Sequence, residues 1–145
     1  MAIREWVRQR LKKQAEQEQA RTRIKNACPE VWDGLRIAVK EGIEEYLEAK
    51  KCGRYEFAGG ESNVFSATHV VDTPNPSTLL KKLVLKFEDE RITAVFTGTV
   101  KHEPISITFS VDEKTEQVTL FREGSSMTTE QAAIAVLQPF LFPDL

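Results

Sequence analysis

Residues able to do chemistry are few in this chain, and they are scattered. His69 and His102 are its only histidines, and Cys28 and Cys52 its only cysteines. A zinc site needs several such ligands at short local spacings, and none of these four has a neighbour of that kind. Cys28 stands directly before Pro29, at what reads as a helix start. A helix N-terminus lowers a thiol pKa, so a reactive Cys28 is physically accessible, although no histidine stands near it to support catalysis. Ser66, Ser125 and Ser126 lack the glycine context of a nucleophile elbow. Acids gather at Glu44, Glu45 and Glu48, and again at Glu88, Asp89 and Glu90. General acid–base work needs carboxylates held in a cleft with their pKa values pushed apart, whereas three consecutive acids in a turn are ordinarily solvated charge. Gly59–Gly60 has no loop–helix context that would cradle a phosphate. The inventory favours a non-enzymatic protein, with no metal and no cofactor expected.

The elements that must position these residues are legible in the hydrophobic pattern. Residues 2–25 hold no Pro or Gly and are rich in helix formers. Ile3, Val7, Leu11 and Ala15 recur every fourth residue with Trp6 beside them, which predicts a basic helix over 1–25, either peripheral or interface-forming. Asn26 or Cys28 is expected to end it. Pro29, suited to a first helical turn, opens a second helix whose apolar face reads Val31, Trp32, Leu35, Val39, Ile43, Tyr46 and Leu47. Gly42 in its middle predicts a close contact between this helix and the sheet.

Strand candidates follow at 54–57 and 62–71, joined through Gly59–Gly60, with a proline-flanked loop at 73–77. From Leu79 to Glu123 the period is two. Leu83, Leu85 and Phe87 alternate with polar residues, as do Ile92, Ala94 and Phe96, and then Ile105, Ile107, Phe109 and Val111. Asp89–Glu90 and Asp112–Thr115 are the turns, and Val118 and Leu120 continue the last strand. Connections this short permit only antiparallel neighbours. Gly124–Ser125–Ser126 is expected to end the sheet. Thr128 and Gln131 form a capping box for a last helix that Pro139 kinks or ends. The expected fold is a single α+β domain over 1–145. It has a five-stranded, mostly antiparallel sheet with a C-terminal meander, packed on one face by helices, in the order ααβββββα.

Length and composition set the remaining bounds. A chain of 145 residues suits one domain, and two cysteines are too few for a disulfide scaffold. At about 35 Å apart on one straight helix, Cys28 and Cys52 are not expected to pair within one subunit. No secretory signal or membrane-spanning run is visible, which favours the cytoplasm. The net charge of −2 is unevenly placed. Arg4, Arg8, Arg10, Lys12, Lys13, Arg21, Arg23 and Lys25 face only Glu5, Glu16 and Glu18 within the first 28 residues, leaving an acidic remainder. Nucleic acid is disfavoured as the target of this arm, because the acidic body would repel it. Contact of residues 1–15 with a membrane surface is disfavoured by the short apolar face. Contact with protein, on the chain's own acidic body or on a sister subunit, is the most economical account.

The leading expectation is a homo-oligomeric interaction protein. Its contact residues would be Trp6, Val7 and Leu11 on the first helix, Val84 and Val95 on the outer sheet face, and Phe140 and Phe142 in an apolar tail. The alternative is a small-molecule binding domain, or a weakly specified enzyme. Its pocket would lie between the sheet and helix 29–50, with Tyr46, Tyr55, Glu56, His69 and Thr97 as polar points.

Overall fold

The computed structural model describes residues 2–50, 53–59, 63–71, 78–112, 114–115 and 117–144, with the side chains of 71 and 78–80 not described. Cys52, Gly60 and the loop 73–77 lie outside the described residues.

One helix, α1 (Ile3–Lys50), opens the chain and runs 48 residues with Pro29 inside it, a length of about 70 Å. The expected break at Asn26–Cys28 is therefore absent. Proline removes one backbone donor and crowds the preceding turn, a penalty of about 3 kcal/mol. Helix formers on both sides, and burial of Cys28 and Trp32 beside the proline, outweigh it here. The second half of α1 buries Cys28, Trp32, Leu35, Val39 and Ile43, spaced by three and four residues as a single helical stripe requires.

Among the described residues seven strands follow, not five: β1 (Arg54–Ala58), β2 (Val64–Val71), β3 (Thr78–Glu88), β4 (Arg91–Gly98), β5 (Ile105–Val111), β6 (Val118–Arg122) and β7 (Ser125–Met127). They pair consecutively, all antiparallel, in the order β1-β2-β3-β4-β5-β6-β7. The expected fold is thus corrected in two respects. The sheet has two further strands, and the helices number one before it and one after, giving the order αβββββββα. Asp112 turns the chain so that β6 returns along β5, with Val111 opposite Val118. Glu123 (φ 51) and Gly124 (φ 83) then form a two-residue turn with both residues left-handed, the geometry that matches strand twist. This turn folds Ser125–Met127 back onto β6 rather than ending the sheet. Asp89 (φ 52) and Glu90 (φ 57) make the same kind of turn between β3 and β4.

The last helix, α2 (Thr129–Leu141), starts at the expected capping box. Gln131 N donates to Thr128 Oγ1 at 3.1 Å, and Thr128 N donates to Gln131 Oε1 at 2.9 Å. Its buried residues Ala132, Ala133, Val136, Phe140 and Leu141 join those of α1 and of the sheet in one core. Leu83, Leu85, Ile92 and Ile107 lie at its centre with no exposed surface. Trp32 of α1 stacks on Phe87 at 5.8 Å, and Phe87 meets Phe109 edge-on at 5.8 Å, tying α1 to β3 and β5.

Candidate functional site

Among the described residues, two surfaces stand out once the core is closed. The first is the N-terminal half of α1. Residues 2–19 are all exposed; Glu16 and Gln19 still border a cleft with Ser110 and Asp112, and the helix before them projects about 20 Å past the fold. A cleft lined by Ala20, Arg23, Ile24, Phe109 and Val111 marks where α1 leaves the sheet. The arm carries Ile3, Trp6, Val7 and Leu11 at 40–80% exposure. Ile3 and Val39, like Val7 and Ile43, are 36 positions apart, which is ten whole turns at 3.6 residues per turn. The exposed stripe therefore continues the phase of the buried one, beyond the sheet that covers the latter. Within the arm, the Arg10 guanidinium lies 5.5 Å from the Trp6 ring centroid.

The second surface is a groove between the end of α1 and α2, with a volume of about 490 Å³, lined by Gly42, Tyr46, Ala49, Ile134, Leu137 and Phe142 among others. Gly42 makes it possible. A Cβ there would come within 2.5 Å of Leu137 Cδ1, so the close approach is to α2 rather than to the sheet, as the sequence had suggested. Tyr46 meets Phe142 edge-on at 5.4 Å in the groove wall.

Behind this wall the sheet register assembles a row of unusual residues. Tyr55 pairs with His69, His69 with Lys81, and Lys81 with Gly98. All three side chains are buried. Tyr55 stacks on His69 with centroids 4.6 Å apart, and its edge meets Phe140 at 6.0 Å. Lys81 Nζ donates to the Phe140 carbonyl at 2.5 Å and lies 4.9 Å from the Phe140 ring and 5.8 Å from that of Tyr46. The last turn of α2 has no basic residue of its own. Lys81 supplies from β3 the positive charge and the donor that a helix C-terminus favours.

Of the five sequence-derived polar points, the structure brings together Tyr46, Tyr55 and His69. Glu56 and Thr97 lie on the next row, Glu56–Thr68–Lys82–Thr97, on the opposite face. Both are exposed, and Glu56 accepts from Arg54 Nε at 3.3 Å. Lys81 escaped the sequence reading. Its signal was phase, since it occupies the inward position two before Leu83 and Leu85. The interface between the sheet and helix 29–50, where a pocket was expected, is filled by Leu35, Val39, Ile43, Leu83 and Ile107; the α1–α2 groove is a different place. Among the contact candidates, Phe140 is fully buried in its own chain, whereas Phe142 is 39% exposed. Val84 and Val95 are direct cross-strand partners on the outer face.

Cys28 sits inside a continuous helix, not at a start. Burial, with the nearby Glu90 charge adding to it, pushes its thiol up to about 11. That is the reverse of the lowering a helix N-terminus would have given. Among the described residues no three His, Cys, Asp or Glu side chains gather as a metal site, and no helix is long and apolar enough to cross a membrane. Comparison with protein-family models, curated proteins and solved structures returned no match.

Proposed function

We propose that this chain is a non-enzymatic, cytoplasmic interaction protein that works as a homodimer, with the first half of α1 as its contact element. The observation that carries this reading is the arm's exposed stripe, Ile3, Trp6, Val7 and Leu11, in phase with the core stripe of the same helix. A helical extension of this length gains little from propensity alone and is held in proteins by burial of its apolar face. The basic flanks of the arm and the acidic remainder of the chain are complementary between copies. The buried, unbridged thiol of Cys28 fits a reducing compartment.

Sedimentation equilibrium of the full chain tests the proposal against a Trp6→Glu/Leu11→Glu variant. The expected result is a dimer for the parent and a monomer with unchanged helix content for the variant. A parent chain that stays monomeric at hundreds of micromolar would reject it. A second reading rests on the groove alone: at about 490 Å³ and largely apolar in lining, it has the size of small-molecule sites. Saturable binding of a small apolar compound to a monomeric chain would favour that reading.

A further inference from the structure

The proposed dimer needs an acceptor for the arm, and the molecule offers an apolar one with an acidic edge on α1. We propose that the arm of one copy lies in the α1–α2 groove of a second copy, and that the exchange is reciprocal. The inference rests on the self-association reading above and names the surface it uses.

Three observations converge on this pairing. The first is chemical fit. The groove is walled by Tyr46, Leu137 and Phe142, with Ile134 on its rim 61% exposed. An amphipathic helix presenting Trp6, Val7 and Leu11 supplies the matching apolar ridge, the helix-in-groove mode of recognition. The second is charge. Glu45 lines the groove beside Lys50, Glu41 and Glu48 continue its acidic edge along α1 at 100° per residue, and Glu130 stands at the start of α2. On the arm, Arg4 and Arg8 flank the stripe on one side and Lys13 on the other, at 100° per residue, while Arg10 rises from within it over the Trp6 ring. The only acid between residues 2 and 13 is Glu5. Opposite charges along one edge of an apolar contact favour a basic helix and bias its orientation.

The third observation is geometric. Trp6 and Tyr46 stand on the same continuous helix, about 60 Å apart. A helix cannot fold its own beginning onto its own end, so the arm of one chain cannot fill that chain's groove. An arm in this groove is therefore the arm of another copy. A two-fold arrangement, each arm in the other's groove, uses every contact twice and closes at two subunits. That doubling lifts a short helix face toward the roughly 1,600 Å² typical of stable interfaces.

The test is a complementation of two variants, followed by sedimentation equilibrium. Trp6→Glu damages the arm. Ile134→Asp damages the groove rim at an exposed position, where the fold does not depend on it. Each variant alone is expected to dimerise about 100-fold more weakly than the parent, the usual effect of removing one well-packed side chain from the centre of an interface. An equimolar mixture is expected to associate more tightly than either variant alone, because the mixed dimer retains one intact arm in one intact groove. Recovery in the mixture supports the proposal. If Trp6→Glu dissociates the dimer while Ile134→Asp leaves it intact, the arm remains the contact element and the groove is overturned as its acceptor. If the mixture is no tighter than the separate variants, reciprocal exchange is overturned. If the parent is monomeric and the groove takes up a naphthalene sulfonate dye with equal affinity in parent and Trp6→Glu chains, the groove is a small-molecule site and both readings fail.

Discussion

Replacing Lys81 by Met probes the link between the sheet and the end of α2. The ammonium donates to the Phe140 carbonyl and lies over the rings of Phe140 and Tyr46. Phe140 is among the last four residues of α2, whose carbonyls have no partner further along the helix. Met preserves most of the apolar stem, so packing changes little. The substitution removes a hydrogen bond from a charged donor, about 1.5–3 kcal/mol, and a cation–aromatic interaction of about 0.5–2 kcal/mol. Relief of the cost of burying an ammonium returns part of this. The net expectation is a loss of about 1–3 kcal/mol, or roughly 3–9 °C in melting temperature for a chain of this size. Urea unfolding followed by circular dichroism measures it, with Lys82→Met as the control. Lys82 is the next residue and lies on the outer row, so its replacement should cost no more than about 0.5 kcal/mol. A Lys81→Met protein as stable as the parent would refute the reasoning. Equal losses from both substitutions would refute it too.

Other expectations follow from the same geometry. In a Cys52→Ser background, Cys28 should resist a thiol reagent at pH 8 until the chain unfolds. Its raised thiol pKa favours the protonated folded state, so its contribution to stability is complete below about pH 9 and is lost as pH rises toward about 11. Rapid labelling of native protein at pH 8 would contradict the burial. Gly42→Ala should leave stability within about 1 kcal/mol, because the gain in helix propensity is offset by displacement of Leu137, whose terminal methyl can rotate into the groove. It should nonetheless weaken dimerisation by narrowing the groove, and a large loss of stability with dimerisation intact would show that Leu137 cannot move. Leu35→Ala, at a position with no exposed surface, should cost about 2–5 kcal/mol in urea unfolding; a cost under 1 kcal/mol would place α1 outside the core.

Local rules carried much of the fold. The alternation at Leu83, Leu85 and Phe87 and at Ile105, Ile107 and Phe109 marked strands correctly, as did the turn at Asp89–Glu90 and the capping box at Thr128. What escaped were features decided by non-local terms. Pro29 reads as a helix start by its own preferences, yet the packing of Cys28 and Trp32 on the sheet holds the helix through it. Ser125–Met127 has no apolar alternation. It becomes a strand because the left-handed turn at Glu123–Gly124 delivers it to the open edge of β6. The candidate site was legible in halves. The arm's stripe is a local periodicity and could be read directly, including Trp6, Val7 and Leu11. The groove is built from α1 and α2, separated by the whole sheet in sequence, so no local pattern could reveal it. Lys81 was hidden for a related reason, since a lysine in an inward phase gains meaning only when Phe140 is known to end a helix above it.

Emission from Trp6 tests the central claim most directly, that the arm is uncovered in one chain and buried by another. Trp32→Phe removes the only other indole while keeping a ring against Phe87. The account predicts solvent-like emission at high dilution and a shift to shorter wavelength as concentration rises, in step with the molecular mass from sedimentation. Emission that stays solvent-like up to hundreds of micromolar, with the mass of a single chain throughout, would contradict it.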